Sequence, residues 1–347
     1  MTTAPQDQIV RLMQVSPAQR DLEWIKTSFQ AAIALELSTI PPYLCGLWSI
    51  KNSGEQAARL IRSVVIDEMF HMGLVCNMLV AIGGKPQIIA AAAAYPGPLP
   101  GGVRPQLTVY LAGLTKTYVR EVFMEIEMPE APLALALEQG PPTIGAFYDA
   151  LSEAFRQVQP AISMNTQLTQ GIGTNNLEPI RDLTGVQDAI ELIKEQGEGT
   201  STSPDAPQAV GEFAHYYKFG EIFHGRKLRQ VNGKWEFTGD VVPFPEVYPM
   251  GVVPAGGWPN PNPEVQGLLR RFNADYMSIL QDLEKAWAEG NEAALSSSIG
   301  TMFSLKGTAD RLLMTPLPGG GSYGPEFRVT THNSVTDYAV AVLLSDL

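Results

Sequence analysis

The sequence predicts a mainly α-helical bundle with long Pro/Gly-rich loops and a small β-hairpin. Three observations predict it. Apolar residues recur at helical spacing over long stretches, glutamate and histidine recur three positions apart on those stretches, and one Asn-Gly pair sits between strand-like residues.

A helix start is expected at Ser16-Pro17-Ala18-Gln19, with Ser16 as cap, Pro17 at the first helical position and Gln19 completing a capping box. Leu22, Ile25, Phe29, Ile33 and Leu37 follow as a stripe, and Pro41-Pro42 must end or kink the helix. A second box, Ser53-Gly54-Glu55-Gln56, opens a stripe of Ile61, Val64, Val65, Met72, Val75 and Leu79 that Gly83-Gly84 and Pro86 stop. Two helices of this length favour a bundle over a layered α/β fold. Residues 86–114 are rich in Pro and Gly, with a strand-like piece at 107–111. Further helices are expected over 115–128 and 143–158, near 186–195, over about 207–228, and over 263–288 and 291–314. Asn232-Gly233, between Val231 and the alternating Trp235 and Phe237, predicts a type I′ hairpin. There is no internal repeat and no clean linker. A single domain over 1–347 is therefore expected, its bundle core at about 16–230 and additional helices and a tail at 263–347.

At 347 residues the chain buries a large core without staples. It carries 24 Lys and Arg against 36 Asp and Glu, and the net charge of −12 opposes a phosphate-tracking surface, so no nucleic-acid partner is expected. Cys45 and Cys76 lie in apolar stretches and read as core residues in a reducing compartment. No signal peptide is visible, and apolar runs such as 88–95 are too short for a bilayer, so a cytoplasmic protein without a membrane partner is expected.

Three of the four histidines, His71, His215 and His224, have a glutamate three residues earlier: Glu68, Glu212 and Glu221. Random placement of the 23 glutamates gives about 0.3 such pairs. On a helix this spacing places both side chains on one face. At 100° per residue, Glu68 falls at the centre of the stripe made by Ile61, Val64, Val65 and Met72, with His71 on its flank. Glu221 and His224 share a face with Val210, Phe213, Ala214, Tyr217 and Leu228, whereas Glu212 and His215 fall opposite, as a decoy or outer pair. Glu36 sits among Ile33, Leu37 and Ile40. A lone buried carboxylate is costly unless paired or bound to metal. Glu121, Glu125, Glu127 and Glu130 crowd the third helix, and Glu127 lies nearest its stripe of Val119, Val122, Phe123 and Ile126. The expected metal ligands are thus Glu36, Glu68, His71, Glu127, Glu221 and His224: two inward Glu-x-x-His pairs plus a Glu from each of two other helices, the di-iron bundle pattern. Four carboxylates balance two divalent ions, and the carboxylate–imidazole set suits two iron ions, with manganese as the alternative.

Several segments carry a resemblance to a known family. They are 32–43 around Glu36 (AIALELSTIPPY), 61–65 and 68–72 around Glu68 and His71, 81–84, 95–100, 123–130, 215–219 with Glu221, and 324–327. They resemble the ferritin-like domain of the iminophenylpyruvate dimer synthase family, of the violacein- and rebeccamycin-type bisindole pathways, here as a stand-alone chain. The resemblance runs from about residue 18 to 327. It implies a ferritin-like bundle with a metal site and oxidative chemistry on imines derived from aromatic amino acids. The resulting expectation is a non-haem di-iron oxidase or oxygenase whose partners are O₂ and a small, amino-acid-derived aromatic amine or imine. The alternative is a ferroxidase or iron-binding protein without an organic substrate.

Overall fold

The structure, a computed structural model, describes residues 7–129, 143–199, 203–205 and 212–329. Its centre is a pair of long helices, preceded by the short α1 (Gln8–Gln14): α2 (Leu22–Ser49) and α3 (Gln56–Ala81) are joined by a short turn and packed along their lengths, and the one-turn α4 (Ile88–Ala91) packs against α2. Every residue from Ala31 to Ile50, and every one from Phe70 to Ile82, is buried. These helices are apolar nearly all round because neighbours cover them on all sides. By length and composition α3 could cross a membrane, but 83% of its most apolar stretch is buried inside the fold.

The start of α2 lies later than the capping box predicts. Pro17–Gln19 form only a 3₁₀ turn, and the helix opens at Leu22, where the Asp21 side chain accepts from the Trp24 N–H at 2.9 Å. Nor does the second box form: Glu55 precedes α3 without a side-chain cap. Pro41 and Pro42 lie inside α2 without ending it. A proline at 42 leaves the Ser38 carbonyl without its donor, and the Tyr95 hydroxyl supplies one at 2.7 Å.

Two more layers close the bundle. One is a helix built of α5 (Lys116–Tyr118), a π-helical turn (Val119–Phe123) and α6 (Met124–Ile126). The other comprises α7 (Ile144–Val158), α8 (Leu183–Glu198) and α9 (His215–His224). The predicted start of the last helix near 207 lies outside the described residues, as do Val210, Glu130 and His332. Within the described residues, α9 begins only at His215, and Glu212 and Phe213 precede it in extended chain. A helical pair, α10 (Pro263–Glu289) and α11 (Glu292–Leu313), packs outside the bundle and joins the same apolar core through Phe272, Trp287 and Leu312.

Among the described residues, three two-stranded hairpins decorate the helices: β1 (Gly97–Pro98) with β2 (Thr108–Val109), β3 (Gln170–Ile172) with β4 (Asn175–Leu177), and β5 (Arg229–Val231) with β6 (Lys234–Glu236). The last is the predicted hairpin, with Asn232 at φ 51° and Gly233 at φ 78°, both left-handed as a type I′ turn requires. Strand β2 lies within the strand-like piece expected at 107–111, and the other strands of the first two hairpins are too short for a periodicity signal.

Candidate metal centre

Five buried side chains from four elements converge at mid-bundle. Helix α2 contributes Glu36, and α3 contributes Glu68 and His71. The residue just past α6 is Glu127, and the first residue of α9 is His215. They form two overlapping groups, Glu36–Glu68–His71 and Glu68–Glu127–His215, each with its ligand atoms within 4.8 Å of one another. Glu68 belongs to both. Its Oε1 lies 2.8 Å from His215 Nδ1 and 4.0 Å from His71 Nδ1, and its Oε2 accepts the Thr39 hydroxyl at 3.1 Å. His71 Nδ1 is 3.7 Å from Glu36 Oε2, and His215 Nδ1 is 3.5 Å from Glu127 Oε2.

Each carboxylate and ring is held from outside the cluster. Tyr148, on α7, donates its hydroxyl to Glu36, and Tyr43 donates to Glu127 at 2.5 Å. His71 Nε2 pairs with the amide oxygen of Gln196 at 2.7 Å, and His215 Nε2 faces Asp67 Oδ2 at 3.3 Å. In the neutral ring an acceptor at each Nε2 holds the proton there, which leaves Nδ1 free to bind an ion.

The residues fit two divalent ions, and the clearest sign is His215 Nδ1. It is fully buried and makes no hydrogen bond. Glu68 Oε1 stands beside it at 2.8 Å, off the line a hydrogen bond needs, so both atoms address the same space. A buried polar atom without a partner is costly unless something fills that space. The electrostatics agree. Burial, together with the charges of Glu127 and Glu36, pushes the Glu68 carboxyl up to about 8 against the pull of His215. Burial opposes ionisation of Glu36 as well, but His71 and Tyr148 outweigh it and hold that carboxyl below its usual range. Burial disfavours the charged form of both histidines, yet their carboxylate neighbours raise both, His215 furthest. Such crowding calls for cations, and oxygen and imidazole donors without thiolate suit iron or manganese.

Four of the expected ligands are therefore brought together: Glu36, Glu68, His71 and Glu127. Glu221 and His224 are not, and His215 takes the place expected of His224. The reason is local. With the helix starting at 215, His215, Phe219 and Ile222 form its bundle-facing stripe, all fully buried. The stripe read from sequence, Ala214, Tyr217 and Leu228, packs instead under the β5–β6 hairpin with Trp235 and Phe237. Glu221 accepts the Leu228 N–H at 2.9 Å, and the exposed His224 stacks on Phe237 at 4.3 Å. Burial and the nearby Arg120 and Lys116 charges lower the pKa of His224. Glu212 is half-exposed and pairs with Lys218 at 2.8 Å. The cluster thus holds three carboxylates rather than four. Asp67 and Gln196 also reach the site without a spacing signal of their own: Asp67 adjoins Glu68 in sequence, and Gln196 follows the helix expected near 186–195. The sequence signal for His215 was the i, i+4, i+7 spacing of His215, Phe219 and Ile222.

The ferritin-like family matches residues 29–224, over half of the sequence and all five clustered residues, and the chain belongs to it. Its structure is also similar to that of a ferritin-like protein from Caulobacter vibrioides. That protein is 26% identical, with a TM-score of 0.63, over 89% of this chain and 98% of the other. No curated protein matches the chain.

Proposed function

We propose that this ferritin-like protein is a non-haem dinuclear metal oxidase or oxygenase, most simply of iron, that uses O₂ on a small organic substrate. The observation that carries the reading is the bridged donor set, with Glu68 shared between Glu36/His71 and Glu127/His215. Glu36, Glu68, His71, Glu127 and His215 would hold two redox-active ions, whose chemistry would be the supply of electrons to O₂. The chain does the rest. Tyr43, Tyr148, Gln196 and Asp67 hold the ligands in place. Leu35, Ile126, Ile144 and Ile193 line the site with apolar surface. Three carboxylates against two divalent ions leave one positive charge for an added anion. Among the described residues the wall is apolar and the charged group outside the cluster that lines it is Lys194, which supports O₂ chemistry over iron uptake. The resemblance of the Glu36 and Glu68 segments to iminophenylpyruvate dimer synthases supports an aromatic amino-acid-derived amine or imine as substrate.

A second reading, ferroxidase or iron handling, draws on the size of the site. Its free space is about 40 Å³. That holds water-sized ligands and is far below the roughly 300 Å³ of the smallest ordinary organic-ligand pockets. Under the oxidase reading the organic substrate therefore sits at the edge of this space, where the lining residues Lys194 and Gly197 are partly exposed. O₂ uptake with limiting iron separates the two. Uptake accelerated by amino-acid-derived amines or imines, with the organic compound altered, is expected. Sustained turnover on Fe(II) alone, with no organic compound altered, sinks the oxidase reading.

A further inference from the structure

Around Glu68 the cluster is nearly two-fold in its chemistry. Each half has one terminal carboxylate that accepts a buried phenol, from Tyr148 on Glu36 and from Tyr43 on Glu127. Each half also has one imidazole with Nδ1 inward and Nε2 outward. The correspondence breaks at one place. Behind His71 stands a neutral amide, Gln196, at 2.7 Å; behind His215 stands a carboxylate, Asp67, at 3.3 Å. Both acceptors orient their ring, but only the carboxylate adds negative charge and raises the basicity of the inward nitrogen.

Asp67 is itself fixed. Its Oδ1 accepts from Asn175 Nδ2 at 3.0 Å. Lys218 Nζ lies 3.4 Å from its Oδ2 but is closer to Glu212, at 2.8 Å, so the lysine charge is shared between the two acids. Two carboxylates thus share one cation, and a net negative charge remains behind His215.

We infer that Asp67 and Gln196 make the two metal positions unequal, so that the position held by Glu127 and His215 binds more tightly and fills first. Asp67 is a positioning residue that also polarises its histidine. The inference rests on the dinuclear reading above. Coulomb repulsion between two ions would split their binding into two steps by itself, but would not choose which half fills first.

Cobalt(II) titrated into the metal-free chain, followed by visible absorption, tests it. The wild type should take two ions per chain in two resolved steps. Glu127→Gln should erase the tight step and Glu36→Gln the weak one. Asp67→Asn should weaken the tight step by about 10- to 100-fold and leave the weak one unmoved. Gln196→Glu should strengthen the weak step by a similar factor, a gain that damage to the fold does not produce. A tight step that survives Glu127→Gln and vanishes in Glu36→Gln overturns the inference and leaves the dinuclear reading standing. So does a Gln196→Glu variant that strengthens neither step. A wild-type chain that binds no cobalt overturns both.

Discussion

Helices α3 and α9 each carry a glutamate three residues before a histidine, and the two turns have opposite fates. Around Glu68 and His71, α3 is covered by α2, α8 and α9, so both side chains of the pair point into protein and meet other ligands. Helix α9 is short and sandwiched between unlike partners. Its 215–219–222 face looks into the bundle, while its 217–221–224 side looks toward β5–β6. Gly220 marks the closeness of that second contact: a side chain there would meet the Phe237 ring at 2.4 Å. The same spacing is thus a ligand pair on one helix and a hairpin support on the other. Spacing aligns two side chains; the neighbouring element decides what they align toward.

The comparison breaks most directly at the glutamates. Glu68→Ala should abolish binding of both ions, because Glu68 serves both groups, whereas Glu221→Ala should retain full metal content. Elemental analysis after anaerobic iron loading reads the difference. Glu221→Ala should instead cost about 1–3 kcal/mol, since the Leu228 N–H loses its acceptor. Metal loss in Glu221→Ala would place α9's own pair back in the centre.

The histidines sharpen it. His215→Ala should lower the stoichiometry by at least one ion per chain, and His224→Ala should leave it at the wild-type value. The reverse result would mean that α9 is rotated relative to the structure. A smaller effect is expected at the hairpin. Phe237→Ala removes a half-buried ring from the open end of the β5–β6 hairpin, and should cost about 1–2 kcal/mol in denaturant unfolding, below the 3–5 typical of a fully buried phenylalanine. Metal content should not change. The smallest effect belongs to Glu212, the acid that precedes α9. Glu212 is exposed and Lys218 keeps Asp67 as a partner, so Glu212→Gln should shift stability by no more than about 1 kcal/mol. A loss of metal in that variant would contradict its place outside the cluster.

Much of this protein is determined by its sequence alone. The helical stripes of α2 and α3 report burial because a 3.6-residue period places every third or fourth side chain on one face, and Glu36 and Glu68 stand out as charges on those faces. Glu127 was reachable by the same arithmetic, since its N–H bonds the Phe123 carbonyl one turn back and it stays in phase with the stripe despite the π-helical turn. The type I′ hairpin followed from Asn232-Gly233, whose backbone preference is local. Tertiary structure decided what local preference leaves open. Pro41 and Pro42 remain inside a helix because Tyr95, more than fifty residues on, supplies the missing donor. Helix α9 carries apolar residues on two sides, so periodicity finds both faces and ranks neither. Only the packing of one against Glu68 and of the other against Phe237 makes His215, rather than His224, the histidine that completes the cluster.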